Sequence, residues 1–594
     1  MKSTLACSIG GYNLEARFPV SCRSAPVSLF RAFAFSLLLC ACCGEQSSAA
    51  ATAIDEAAQW TVFEVSFTSA SRYQNPFQDV TVTVEFTAPD EKTRTVDAYW
   101  DGESTWRVRF SPEQTGEWKY RTHASRSEDK GLEGQTGKFR CVPYKGGNSL
   151  YTHGRVRVSQ NERYLEQADG TPFFWLSDTA WNGALKADHA SWESYLSDRG
   201  KKKFTVVQFV TTQWIAAAGN AEARQAYEGR ESITIDPIFF QWMDERVRSV
   251  NDHGLVAAPV LIWTAPWSPY SKFLNPGNAL PDDQVIRLAR YMVARYGAYQ
   301  VIWILAGDGD YHGDEAERWK QIGRAVFGDN VSRLVTIHPT GHQWVGGDFG
   351  QEPWFSFIGY QSGHGDGPED HKWIFQGPPA LSWDVPPVHP IINLEPNYED
   401  HVSYFSHRRF DAHAVRRAAY WSSLVSPTAG VTYGAHGIWG WDNHPAIPMN
   451  HLGSGIARPW FEALNLPGST DMAHMMALFA SLEWWKLRPD PALIANQPGD
   501  KDPSAFVAAA KAENNEWALL YFPVGMAITL KPDELPGSLL VRWFNPRSGK
   551  WGPATPLVSP NLMAPNSEDW VAWIGQKKTN SKSQRRGHSA PEEP

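Results

Sequence analysis

The chain has 594 residues, 42% of them hydrophobic and 13% aromatic. That is enough to bury a large core, spread over roughly two to four domains, and too apolar for a disordered protein. A net charge of −9 argues against nucleic acid as a partner. The 28 Trp and 20 Tyr are more informative, because flat rings beyond those a core needs stack on the C–H faces of sugars in carbohydrate clefts.

Five of the six cysteines, Cys7, Cys22, Cys40, Cys42 and Cys43, crowd into the leader, and Cys141 stands alone in the body. The body therefore offers neither a disulfide framework nor a cysteine metal site. Arg31 followed by AFAFSLLLCACC has the form of an export signal, a basic residue before an apolar segment too short to span a bilayer. Two processing routes are open for the leader, residues 1–55. Leu39-Cys40-Ala41-Cys42 resembles the bacterial lipobox, which would make Cys42 a lipidated membrane tether. The small residues of Ser47–Ala53 offer an ordinary cleavage site instead. The expectation is an exported protein: periplasmic, a cell-surface lipoprotein, or extracellular.

From residue 59 to 142, short runs alternate apolar and polar residues: VFEVSF (62–67), VTVTVEF (80–86), TVDAYW (95–100) and WRVRF (106–110). Turn residues separate them. Period-two runs at this spacing predict a small antiparallel sandwich. Asn75-Pro76-Phe77, Tyr99–Gly102, Phe110-Ser111-Pro112 and Gly116-Glu117-Trp118 resemble an N-terminal module of secreted glycosidases. Such a module is expected to pack on the next domain with a loop directed toward its cleft, or to act only as a spacer.

From 147 to 465 apolar strand candidates alternate with helical stretches. Eight strands are predicted: Phe173–Ser177, Phe204–Val210, Leu255–Trp263, Val301–Ala306, Leu334–His338, Phe355–Tyr360, Ile391–Leu394 and Val431–His436. Helices are predicted over Ser191–Ser197, Ile238–Asn251, Asp283–Tyr296, Glu315–Phe327 and Phe410–Val425. Eight βα units predict an α/β fold, a (β/α)8 TIM barrel with its site at the carboxyl ends of the strands. The interval Pro339–Trp354 is too short and glycine-rich for an ordinary crossover helix, so that unit is expected to be irregular.

Two strands each deliver a carboxylate at that end. In PIINLEPNYED (390–400) the apolar run stops at Glu395 and Pro396, and in QVIWILAGDGD (300–310) it runs into Gly307 and Asp308. A pair of carboxylates is what glycosidic hydrolysis needs, one to protonate the leaving oxygen and one to attack or activate water. Strands four and seven are also the positions that the large clan of retaining barrel glycosidases resembled here uses for acid/base and nucleophile.

Five motifs in order, FFWLSDTAW (173–181), VIWILAGD (301–308), YQSGH (360–364), INLEPNYED (392–400) and TYGAHGIWGW (432–441), resemble the apiosidase-like glycoside hydrolases over about Ser149–His451. The resemblance implies hydrolysis of glycosidic bonds in plant or microbial polysaccharide, without implying apiose as the sugar. Glu395 is expected to be the nucleophile, with Tyr398 donating a hydrogen bond that keeps it ionised. Glu399 is the rival, more at home paired with Arg408 or Arg409. Asp308 is expected to be the acid/base, with Asp310 as the alternative, or Asp308 capping the next helix. The clan pattern after strand four is Asn-Glu, whereas this chain has Gly307-Asp308. The shorter aspartate leaves inversion open beside retention, which needs the two groups about 5–5.5 Å apart.

For the sugar, Asp178 and Trp181 offer an acceptor and a stacking ring, unless Asp178 only caps the following segment. Gln208, Trp263, His338, Gln361 and His364 fall at or just past strand ends, and Trp439, Trp441 and Asp442 follow strand eight. No cofactor and no metal are expected, since the 18 His show no HExxH arrangement. The alternatives to a secreted glycosidase are a metal-assisted hydrolase or lyase on the same barrel, and a non-catalytic carbohydrate-binding or adhesion protein. Past a helix expected at Asp471–Trp485, short strands over 486–575 resemble the small collagen-binding-like β domain that ends many such enzymes, here expected to support the barrel. The tail 576–594 lacks apolar residues and is expected to be disordered.

Overall fold

A computed structural model describes residues 55–576 except 267–268, 329–333, 532–534 and 536–537. The N-terminal segment expected to direct export, with Cys42, and nearly all of the tail lie outside the described residues.

The N-terminal runs form two facing sheets. One has five strands in the order Asp55–Ala58, Thr136–Val142, Gly116–Ala124, Val82–Thr87 and Thr93–Asp97, and the other pairs Phe63–Thr68, Thr105–Phe110 and Tyr99–Trp100. Alternation along Val82–Thr87 buries Val82, Val84 and Phe86. Between the sheets Phe63 stacks on Phe139 at 3.9 Å and Phe86 on Phe110 at 4.2 Å. The strands Gly116–Ala124 and Thr136–Val142 are weak in the sequence pattern because each buries only two residues, Trp118 and Thr122 in the first and Phe139 and Cys141 in the second.

This sandwich docks on the outside of the barrel. Arg109 sends both terminal nitrogens to Asp244 at 2.8 Å, and Arg295 reaches the same carboxylate at 2.7 and 2.6 Å and Asp101 at 2.8 Å. Asp244 and Arg295 belong to the helices Pro237–Asp252 and Asp282–Tyr296. Bidentate geometry offsets the cost of taking these charges out of water. Among the described residues, no sandwich loop lines the central cleft. The Asn75 and Gln78 side chains instead donate to the Ile233 carbonyl, each at 3.0 Å, bracing the long loop after barrel strand two.

The barrel strands run Trp175–Thr179, Val206–Val210, Val256–Trp263, Trp303–Gly309, Val335–Pro339, Ile358–Gln361, Ile391–Glu395 and Gly430–Tyr433. All ladders between them are parallel, in the spatial order 5-4-3-2-1-8-7-6. Between strands five and six, Thr336 Oγ1 donates to the Phe357 carbonyl at 2.7 Å and Ser356 N donates to the Val335 carbonyl at 2.8 Å, which closes the sheet into a TIM barrel. The connection there holds only the short helix Gly346–Phe349, the irregular unit expected from the sequence. Strand one starts later than predicted because Pro172–Phe173 pairs in a separate three-stranded sheet with Leu165–Gln167 and Val156–Val158.

The C-terminal domain is a six-stranded sheet, Leu487–Pro489, Ala508–Ala512, Trp517–Phe522, Trp570–Gln576, Leu539–Asn545 and Lys550–Pro556, with a small ribbon of Ala527–Thr529 and Asn561–Met563. It shares one hydrophobic core with the barrel, where Tyr420 stacks on Tyr521 at 4.6 Å and Phe375 on Phe506 at 3.9 Å. One buried arginine ties three elements together. From the helix Ala412–Leu424, Arg416 reaches Asp569 at 2.9 and 3.0 Å and Asp471 at 2.7 Å. Arg416→Ala removes the arginine partner of buried Asp471 and leaves Asp569 only Tyr521 and Arg547, and is expected to cost about 3–5 kcal/mol in urea unfolding. A loss below about 1 kcal/mol would show that the domain is only tethered.

Candidate active site

Strand seven ends on Glu395, whose predecessors Ile391, Ile392 and Leu394 are fully sequestered and which is itself 7% exposed. Strand four carries Asp308 at φ +55°, left-handed backbone that a non-glycine residue adopts at a cost of roughly 1–3 kcal/mol. Its ladder to strand five slips twice around this point, between Ile304 and Gly307 and between Gly307 and Gly309. Bulges at a barrel rim re-aim side chains, and Asp308 is thereby turned into the cleft that also holds Glu395.

The glycine before Asp308 has a steric reason. A Cβ at Gly307 would meet the Trp263 ring at 2.5 Å, so the indole occupies the place an asparagine would need. Gly307→Ala should displace Trp263, cost roughly 1–3 kcal/mol in stability and depress turnover. An unchanged melting temperature and rate would show that the ring has room to move.

The cleft holds about 620 Å³. Trp181, Trp214, Trp263 and Trp439 supply indole faces, while Gln361, His342, His364 and Asp370 supply polar groups. Glu395 is gripped by two imidazoles, one per oxygen. His364 Nε2 lies 2.9 Å from Oε1 in hydrogen-bonding geometry, and His338 Nε2 lies 3.3 Å from Oε2. Burial alone would push this carboxyl up, but the two imidazoles outweigh it and hold Glu395 well below the usual carboxylate range. Asp308 shifts the opposite way. Burial raises it well above its ordinary value, the negative Glu395 adds to the shift, and no side chain among the described residues donates a hydrogen bond to it. Two carboxyls in one cleft are thus driven apart, one toward the ionised form and one toward the protonated form.

Trp181, Trp263, Gln361, His364, Tyr398 and Trp439, all expected at the site, line the cleft with the two carboxyls. Three expected ligands do not. Asp178 lies mid-strand and faces outward, where it accepts from Tyr195 Oη at 2.7 Å and Arg199 Nε at 2.6 Å, both from the helix His189–Lys201. It is a buried ion-pair partner, neither sugar acceptor nor cap. Gln208 is fully buried and donates to Thr179 Oγ1 at 2.9 Å and the Leu394 carbonyl at 2.8 Å, bracing strand seven beside Glu395. His338 is fully buried beneath Trp181 and Glu395, placed to support the carboxylate and not to touch a sugar.

The expected hydrogen bond from Tyr398 to Glu395 is not made, and His364 takes that role. Glu399 does not pair with Arg408 or Arg409. It is buried away from the cleft, accepting from Tyr433 Oη at 2.6 Å and Gly468 N at 2.9 Å. Asp310 is exposed and accepts from Gln343 Nε2 at 2.7 Å, outside the lining. Trp441 stacks on Trp460 at 4.8 Å in the core, and Asp442 pairs with Lys186 at 3.0 Å.

Sequence reasoning missed Trp214, His342, Asp370, His401, Tyr404, Phe405 and His451, all from loops except Asp370, which lies in the first turn of the helix Pro368–Gln376. The density of aromatic and histidine residues from Tyr398 to Phe405 was the available signal. Of these, His401 packs against His364 with ring centroids 4.4 Å apart, and burial, then its His364 and His436 neighbours, hold it well below the ordinary imidazole range, hence neutral. Its Nδ1 meets the Val402 carbonyl at 2.8 Å.

Fold and polarised pair together belong to the chemistry of the glycoside hydrolases, and this chain is a glycoside hydrolase. Residues 159–486 match the family described as the apiosidase-like catalytic domain, more than half of the chain, and the chain belongs to that family. Residues 56–125 match a domain of unknown function (DUF5060), and residues 488–572 match a family described as a collagen-binding domain of a collagenase. Similar solved structures share the fold. A glycoside hydrolase family 5 protein from Bacteroides vulgatus is 21% identical with a TM-score of 0.62, over 72% of this chain and 95% of its own. A second glycoside hydrolase from that organism is 19% identical with a TM-score of 0.66, over 88% of this chain and 99% of its own. No curated protein matches the chain.

Proposed function

We propose that the protein is an exported glycosidase that cleaves glycosidic bonds in plant or microbial polysaccharide with retention of configuration. The carboxylate of Glu395 attacks the anomeric carbon as its bond to the leaving oxygen breaks, and the Asp308 carboxyl gives its proton to that oxygen. The departing sugar leaves a glycosyl ester on Glu395. Asp308, now ionised, takes a proton from water as the water oxygen attacks the same carbon, which frees Glu395 and restores the Asp308 proton. The indoles of the cleft stack on the sugar while this happens.

The observation that carries this reading is that two carboxyls line one cleft, with Glu395 held between two imidazoles and Asp308 given no side-chain hydrogen-bond donor among the described residues. A panel of plant and microbial polysaccharides and aryl glycosides tests the activity, and proton NMR of the first product tests the stereochemistry. Retention is expected, and an inverted first product would replace Glu395 as attacking group by a water that it activates.

A further inference from the structure

The mouth of the cleft carries two rings that the barrel core does not use. Tyr404 and Phe405, in the loop after strand seven, are 57% and 63% exposed and still line the cleft. Apolar rings left in water usually sit on loose loops, but this loop is clamped on both sides of the pair. Asp366, from the loop after strand six, accepts from the Ser403 hydroxyl on one side, and from the Ser406 amide at 3.0 Å and hydroxyl at 2.6 Å on the other. The Tyr404 amide donates to the His364 carbonyl at 2.9 Å. Phe405 packs close enough to Gly367 that a Cβ there would sit 3.0 Å from its ring.

The clamp holds Tyr404 close to the chemistry. Its ring centroid is 5.8 Å from that of His364, which itself bonds Glu395. Burial, then the negative charge of Glu395, push the phenol up to about 12, so it remains a donor. No hydrogen bond to that hydroxyl is made among the described residues. A rigid pair of rings with a free donor, beside the catalytic pair and open to solvent, matches the amphipathic surface of a sugar ring, which offers C–H faces to aromatics and hydroxyls to a donor.

We propose that Tyr404 and Phe405 form a platform for a second sugar unit adjoining the one that is cleaved, so that the enzyme prefers an oligo- or polysaccharide chain to a single sugar on a small aglycone. The inference rests on the reading of Glu395 and Asp308 as the reacting pair. Its probes are an oligosaccharide and a 4-nitrophenyl monoglycoside of the same sugar, chosen from the polysaccharide that the panel shows to be hydrolysed. In Tyr404→Ala and Phe405→Ala, kcat/KM is expected to fall about tenfold more on the oligosaccharide than on the monoglycoside, chiefly through KM. Tyr404→Trp and Phe405→Tyr should restore most of the difference. Equal losses on both probes would overturn the platform, since a merely disordered loop would produce them.

Binding gives a second, turnover-free readout. In Glu395→Gln protein, adding Tyr404→Ala should weaken oligosaccharide binding about tenfold by calorimetry, and unchanged binding overturns the proposal. Turnover surviving in Glu395→Gln alone would instead remove the catalytic reading and leave this binding comparison standing.

Discussion

Glu395→Gln is expected to lower kcat on the order of 10⁵-fold while the protein keeps its fold and its affinity for the sugar. The amide has the size of the carboxylate but no charge with which to attack the anomeric carbon. Its neighbours do not depend on that charge for folding, since strand seven is fixed by its ladders, by Gln208 on the Leu394 carbonyl and by the buried Ile391, Ile392 and Leu394. Turnover and calorimetric binding in parallel separate the outcomes. Lost turnover with intact binding fits the nucleophile, whereas lost binding would mark Glu395 as a sugar ligand, and turnover within tenfold of the parent would place the chemistry elsewhere.

Asp308→Asn is the second large effect, a loss of roughly 10²–10⁴-fold on substrates whose leaving group needs a proton. On a dinitrophenyl glycoside, whose leaving group departs unprotonated, the loss should be far smaller. The pH profile carries the same information. Because Asp308 is raised above its ordinary value, it is protonated at low pH and loses its proton as pH rises through the raised value. Activity of the parent should therefore fall on the alkaline side. Because Glu395 is depressed, its ionised form persists far to the acid side, and the acid limb should lie below the usual carboxylate range. Asp308→Asn should abolish the alkaline limb. A limb that stays in place in this variant belongs to some other group.

Much of the barrel is legible in the sequence because its parallel strands are buried on both faces and appear as near-continuous apolar runs. Val256–Trp263 and Ile391–Glu395 are found within a residue or two for that reason. The same feature hides which way a polar residue points. Asp178 and Gln208 occupy runs of buried residues, so alternation gives no phase, and one is turned to an outer helix while the other reaches across the barrel interior to strand seven. Strand-end carboxylates escape this ambiguity, because Pro396 stops one strand and the paired glycines around Asp308 let the other bulge.

The support of Glu395 was only partly readable. His364 and His338 were singled out, but as sugar ligands, because their meeting on one carboxylate depends on strands five, six and seven lying side by side. Loop residues such as Trp214, His401 and Tyr404 carry no periodic signal, and their place in the cleft is set by contacts such as Ser403 and Ser406 on Asp366. Cys42 and the proposal of export lie outside the described residues.

The central statement is that a buried, imidazole-held carboxylate forms a bond to sugar opposite a protonated partner. It is tested most directly by incubating the enzyme with a 2-fluoro glycoside of the sugar it cleaves, then mapping the adduct by peptide mass spectrometry. A single sugar ester on Glu395 is the result expected. An adduct on Asp308 or Glu399, or no adduct with an enzyme shown to be active, would contradict it.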